Sequence, residues 1–191
     1  MLFRSSEIPP KNLTNNNRQK DEDPKFSPDG SKIVFKHLDG SRYDLIEMDI
    51  NGHNLHTITP DNSIEESMPY YTNDGNNIVY MSGTNSNSSI RIIATNGLID
   101  KPLVDELGVQ EMYPIVVDEN SFLYTRWVSP SNQNDDIYIG YFNGSQPIPL
   151  SFNISDKNDS DPFPLDSKYV LFSSDRTGTK GGWDLYLGDK E

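Results

Sequence analysis

Four acidic residues recur at one position of a repeated sequence, and they are the strongest sign of chemistry in this chain. Each stands three residues before a proline that returns at intervals of 45, 45 and 48 residues; the acids are Asp21, Glu66, Glu111 and Asp159. Four carboxylates that converge cannot all stay ionised cheaply, so some take up protons or a cation compensates them. Several oxygen ligands suit Ca²⁺ better than a softer metal. The four acids are therefore candidate ligand-binding residues and candidate ligands for a bound Ca²⁺.

The same recurrence has an interpretation that needs no ligand. An acid at the start of a strand can accept hydrogen bonds from neighbouring backbone and hydroxyl groups, and that role would also repeat in every unit. Both interpretations predict an acid at each of the four positions. The sequence leaves the choice between them open.

The elements that must position these acids are short strands separated by turns. The repeated segments read DEDPKFSPDGSKIVF, ESMPYYTNDGNNIVY, EMYPIVVDENSFLY and DSDPFPLDSKYVLF. Each gives a short strand around the proline, a turn, and then an apolar run that indicates a strand covered on both faces. A third strand follows and ends in three units at Asn-Gly, the strongest short hairpin signal, so a fourth strand pairs back.

A spacing near 45 residues is typical of a four-stranded propeller blade. We therefore predict an all-β, four-bladed β-propeller of four-stranded antiparallel blades, forming a single domain over residues 1–191. The blades are expected at about 21–59, 66–104, 111–151 and 159–191. Propeller symmetry would place the four acids, at the start of each innermost strand, around one mouth of the axial channel.

The chain ends after the third strand of the last unit, and a strand at the other end is expected to complete that blade. Leu13-Thr14 matches Ile58-Thr59 at an offset of 45 residues, so residues 8–14 are predicted to close blade 4 and remove its open edge. Met1-Leu2-Phe3 falls where a preceding third strand would end. That match also allows the alternative that the chain belongs to a longer array of blades.

Two motifs resemble the repeat of TolB-type propellers. One is Pro-x-Phe-Ser-Pro-Asp-Gly-x-x-Ile-Val-Phe at 24–35 with Asp49-x-Asn-Gly at 49–52, and the other is the run SSDRTG at 173–178 with GGWDLY at 181–186. The resemblance implies a propeller whose channel mouth or loop face binds a partner. It gives less support to the enzymes among such proteins. The oligogalacturonate lyases hold a metal through clustered histidines, whereas His37, His53 and His56 lie in one unit, and the peptidases need a further hydrolase domain.

The variable loops between second and third strands, at 84–89, 127–136 and 175–182, are expected on the same face as the four acids, and such loops commonly carry function. Trp127 is the aromatic candidate for ligand contact, by stacking on a sugar or anchoring a partner chain. Trp183 is expected to pack between blades. Asp135 and Asp136 are adjacent on a strand and should point to opposite faces, which argues against a catalytic pair.

Composition narrows the class of partner. There are 16 Lys and Arg against 29 Asp and Glu, a formal charge of −13, which argues against nucleic acid and anionic membranes. No segment is apolar enough to insert into a membrane, and the absence of cysteine excludes disulfides. The compartment stays open: periplasmic or secreted if a leader was removed, otherwise cytoplasmic.

These observations favour a non-catalytic, monomeric binding module that recognises a protein or glycan through its acidic loop face and channel mouth. Two alternatives remain. One is a carbohydrate-active enzyme, a polysaccharide lyase or glycoside hydrolase that uses the channel carboxylates. The other is a truncated or engineered propeller fragment with no ligand of its own.

Overall fold

The computed structural model describes residues 9–15, 19–59, 64–84, 86–178 and 181–190. Fifteen β-strands account for all of the regular secondary structure in these ranges. No helix that could span a membrane occurs among them. The all-β class predicted from the repeats is confirmed.

The strands form four separate antiparallel sheets, which we call blades 1 to 4 in chain order. Blade 1 contains β1 (Asp21–Phe26), β2 (Lys32–Asp39), β3 (Arg42–Asp49) and β4 (His56–Thr57). Blade 2 contains β5 (Glu66–Tyr71), β6 (Asn77–Thr84), β7 (Asn87–Ala94) and β8 (Asp100–Val104). Blade 3 contains β9 (Glu111–Val116), β10 (Ser121–Ser129), β11 (Asn132–Tyr141) and β12 (Ile148–Pro149). Blade 4 contains β13 (Asp159–Pro164), β14 (Tyr169–Ser174) and β15 (Asp184–Asp189).

The turn between the first two strands of each blade is held by an aspartate. In blade 1 the Oδ1 of Asp29 accepts hydrogen bonds from the Ser27 hydroxyl and the Ser31 amide, and Gly30 supplies the positive φ that the reversal requires. Blades 3 and 4 have one residue fewer here. Their Asp118 and Asp166 accept instead from amides two and three residues ahead, so the shorter turns differ in type from that of blade 1.

Apolar residues of the second and third strands fill the space between consecutive blades. Val34 and Leu45 of blade 1 pack with Ile78, Tyr80 and Ile93 of blade 2. Equivalent clusters join blade 2 to blade 3 and blade 3 to blade 4. Burial on both faces explains the continuous apolar runs in the second strands.

The predicted closing strand is not found in the described residues. Residues 9–15 form no strand and blade 4 has three strands, while Ile8 lies outside the described residues. The segment lies against blade 1 instead, where Lys11 donates to the carbonyl oxygen of Asn51 and Leu13 packs on Ile33 and Phe35. Leu13 packs on blade 1 as Ile58 packs on blade 2, which is the place that the offset of 45 residues predicts. Pairing of this segment with blade 4 is not seen in the described residues, so the closing of blade 4 stays a prediction.

Blade 4 keeps one apolar face open to solvent. In the described part of the chain, blade 4 does not pack against blade 1 as the other blades pack against their neighbours. Leu185 is 71% exposed, whereas Ile137, which holds the equivalent place in blade 3, is 0% exposed. The structure therefore shows four blades in an array whose closure into a ring it does not show.

Candidate functional site

The four recurrent acids lie at the start of the innermost strands β1, β5, β9 and β13, as predicted, but their carboxylates stay within their own blades. Asp21 Oδ1 lies 2.6 Å from His37 Nδ1, on the neighbouring strand. Asp159 is fully buried and accepts a hydrogen bond of 2.6 Å from Arg176 and another from the Ile154 amide. These contacts match the interpretation in which the acid stabilises its own blade.

Glu66 and Glu111 are also buried, but neither carboxylate oxygen of Glu111 has a hydrogen-bond partner in the described part of the chain. Glu111 lies opposite Arg126 on β10, its backbone amide donates to Ser88 of blade 2, and burial raises the pKa of its carboxyl to about 8. No three His, Asp or Glu side chains of the described ranges are grouped closely enough to hold a metal ion. The described residues thus give no support to a cation site shared by the four acids, and a bound Ca²⁺ stays a prediction.

A different column of residues lines a cavity of about 610 Å³ beside the innermost strands of the four blades, which we call the channel. The residue immediately before each recurrent proline has a positive φ between 52° and 55°; these residues are Asp23, Met68, Tyr113 and Asp161. In every blade the register between the first two strands shifts at this point. The bulge breaks the alternation of the strand and turns these side chains toward the channel.

A positive φ is uncommon for residues other than glycine, asparagine and aspartate, and the conformation is strained. Strain of this kind clusters at binding sites, so its presence in all four blades makes the channel a candidate functional surface. The sequence carries only an indirect signal for it. The recurring proline marks the strand, but the residue type before it changes from blade to blade.

A second cavity, of about 590 Å³, lies between blades 3 and 4 on the predicted loop face, and we call it the interblade pocket. Both tryptophans of the chain line it. Its wall consists of Gln110, Met112, Tyr113, Trp127, Gln133, Asp135, Ser160, Asp161, Ser173 and Trp183. Tyr113 and Asp161 also line the channel, so the two cavities meet at these residues.

Two carboxylates give the interblade pocket its electrostatic character. Burial raises the pKa of Asp135 to about 6, and the neighbouring negative charges of Asp161, Asp136 and Asp175 add to that shift, against a hydrogen bond from the Ser160 hydroxyl. Desolvation also raises the pKa of Asp161. Ionised forms of both carboxylates are thus disfavoured unless a positively charged or hydrogen-bond-donating group enters the pocket.

The structure places the two tryptophans differently from each other and, for Trp183, differently from the expectation. Trp127 is half-buried and lines the interblade pocket, consistent with its choice as the aromatic candidate. Trp183 was expected to pack between blades, but it is 49% exposed at the opposite wall of the same pocket. Asp135 faces the pocket and Asp136 lies buried across from Arg126, so the two acids do point to opposite faces.

Comparison with known proteins establishes the fold. No family model and no curated protein matches the sequence. Among solved structures, TolB from Acinetobacter baumannii superposes with a TM-score of 0.72 at 17% identity, over 93% of this chain and 43% of that one. A putative TolB from Agrobacterium tumefaciens gives 0.71 at 16% identity, over 87% of this chain and 60% of that one. A puromycin-hydrolysing peptidase from Mycobacterium tuberculosis gives a TM-score of 0.69 at 14% identity, over 90% of this chain and 29% of that one.

This chain therefore spans less than two thirds of the length of each of these proteins. At sequence identities below 20%, the structural similarity shows a shared fold and says nothing about a shared activity. The four sheets, their order and these structural neighbours together identify the architecture as a TolB-like β-propeller fold.

Proposed function

We propose that the chain is a non-catalytic binding module that recognises a protein or glycan partner through its acidic loop face and channel mouth. The observation that carries the proposal is the interblade pocket, where Trp127 and Trp183 flank amide, hydroxyl and carboxylate groups. Cavities of this size with aromatic walls and a few polar groups are the usual form of a ligand site. Most of its wall stands on strands of blades 3 and 4, and only Gln110 and Trp183 lie outside strands, so a rigid part of the fold holds the polar and aromatic groups in place.

The burial of the recurrent acids Glu66, Glu111 and Asp159 supports the non-catalytic part of the proposal. A lyase or glycosidase needs a carboxylate that can reach its substrate. Asp159 is committed to Arg176, and Glu111 is fully buried. Neither lines the channel or the interblade pocket, which therefore offer binding surfaces whose acids, Asp23, Asp135 and Asp161, come from other positions.

A titration followed by saturation-transfer NMR tests the proposal. The probes are the neutral oligosaccharides cellotetraose and chitotetraose and a set of short unstructured peptides. We expect at least one class to bind and Trp127→Ala to weaken that binding by at least about tenfold, as removal of a central aromatic anchor does. Phe26→Ala is the matched control, because Phe26 is an exposed aromatic residue of blade 1 outside the pocket.

Two results would count against the proposal. If none of the probes binds, the pocket is not a general recognition site. Measured cleavage of a polysaccharide that is lost on Glu66→Gln or Glu111→Gln would favour the enzyme instead, since those substitutions keep the side-chain shape and remove the titratable group.

A further inference from the structure

The interblade pocket has an unusual charge composition for this molecule. Its wall carries the carboxylates of Asp135 and Asp161 and three aromatic rings, and no lysine or arginine is among the residues that line it. Two buried acids elsewhere do lie against a cation of the chain, Asp159 against Arg176 and Glu47 against Lys32. The pocket is thus a half-enclosed negative site where the chain supplies no lysine or arginine in the wall.

The chain itself shows how a guanidinium group fits such surroundings. Arg176 pairs with Asp159 and lies over the rings of Phe172 and Tyr186, with distances of 4.8 and 4.9 Å to the ring centres. A guanidinium stacks on aromatic faces and donates to a carboxylate at the same time. The interblade pocket offers the same two kinds of group, carboxylates and aromatic rings, to a cation that comes from outside.

We propose that the interblade pocket binds the cationic side chain of a polypeptide partner, arginine in preference to lysine, between its two tryptophan rings and against the carboxylates of Asp135 and Asp161. This inference rests on the proposed function and specifies the partner. Arginine is preferred because its planar group can stack on indole and pair with carboxylates, whereas an ammonium group is a compact point charge.

Two further features fit an extended peptide rather than a free amino acid. The pocket is continuous with the channel at Tyr113 and Asp161, which leaves room for the main chain on both sides of an inserted side chain. The formal charge of −13 also attracts a basic segment from a distance and raises its rate of association at low salt.

The test uses intrinsic fluorescence, because the only two tryptophans of the chain both line the pocket. The probes are the peptide acetyl-Gly-Arg-Gly-amide, its lysine analogue, and its citrulline analogue, which keeps the planar shape of arginine without the charge. We expect the arginine peptide to change the tryptophan fluorescence in a saturable way and the lysine peptide to bind more weakly. The citrulline peptide should give no saturation at the same concentrations.

Variants locate the effect. We expect Asp135→Asn and Asp161→Asn each to raise the Kd of the arginine peptide by at least about tenfold, since each removes a partly desolvated partner of the cation. Glu119→Gln is the matched control, because it makes the same charge change at an exposed turn outside the pocket. Free arginine amide, tested beside the peptide, should bind more weakly than the peptide does.

Several results overturn the inference. Equal binding of the citrulline and arginine peptides would show that charge is not recognised. An unchanged Kd in both aspartate variants would place the cation elsewhere, and free arginine amide binding as tightly as the peptide would exclude a polypeptide partner. If neutral oligosaccharides bind the pocket and the arginine peptide does not, this inference fails while the proposed function stands; if no probe of either set binds, both fail.

Discussion

The open face of blade 4 can be tested by comparing two residues that occupy the same place in neighbouring blades. Ile137 on β11 and Leu185 on β15 both stand one residue before a tyrosine that pairs with the second strand. Ile137 is fully buried against blade 4, and Leu185 is 71% exposed. The perturbation is a single alanine substitution at each position, so that the repeat itself provides the control.

The exposures set the expected cost of each substitution. Ile137→Ala removes a fully buried side chain and should lower the free energy of unfolding by about 2–5 kcal/mol, through lost burial and the cavity left behind. Leu185 keeps only about 29% of its surface from water, so against roughly 2 kcal/mol for a fully buried leucine its loss should cost about 0.6 kcal/mol.

Urea denaturation followed by tryptophan fluorescence and by circular dichroism measures both values. With a slope of about 2 kcal/mol per molar urea, Ile137→Ala should move the midpoint down by about 1 M or more and Leu185→Ala by about 0.3 M. If Leu185→Ala costs as much as Ile137→Ala, the face is covered in solution, by a closed ring or by another copy. That result would refute the reading of blade 4 as open.

Two further predictions concern buried charge. The pKa of Glu111 in the folded state, about 8, lies above its usual 4.5. Its proton therefore contributes stability that is full below about pH 4.5 and is lost as the pH rises through 8. In urea titrations, Glu111→Gln should reduce the difference in unfolding free energy between pH 5 and pH 8.5, and an unchanged difference would contradict the prediction. Arg176→Ala leaves the buried Asp159 carboxylate without its cation and should cost about 3–5 kcal/mol. The double variant with Asp159→Asn should recover part of that loss in thermal melts, and a single-variant loss below about 1 kcal/mol would argue against a structural ion pair.

The sequence predicted the blades well because each carries its own signals. The proline, the Asp-containing turn and the apolar run recur in register, and they specify local elements that the structure contains. The N-terminal segment shows the limit of that reasoning. The match of Leu13 to Ile58 places Leu13 on blade 1 correctly, since Ile58 packs on blade 2. It does not establish that the segment pairs with the edge of blade 4, because that pairing depends on how blades 4 and 1 meet.

The site was predicted only in part for a similar reason. The recurrent acid was expected at the channel because it starts the innermost strand of each blade, and propeller symmetry brings those starts together. A regular strand would point Asp21 and Asp23 to the same face. The bulge at Asp23, with its positive φ, separates the two, and only the structure reveals it. Trp127 was chosen because it stands in the segment 127–136, which was expected to be a loop but is mostly strand, divided between β10 and β11. The place of Trp183 depends on how blade 4 packs.

The positive φ before each proline has a consequence for how such a molecule can diversify. The backbone, rather than the side chain, decides that this residue enters the channel, so aspartate, methionine and tyrosine all stand there without a change of blade. Each blade thus offers one position where a single codon change alters what the channel presents while the buried acid two residues earlier keeps the strand in place. Affinity for a new partner could be acquired blade by blade, with the scaffold left untouched.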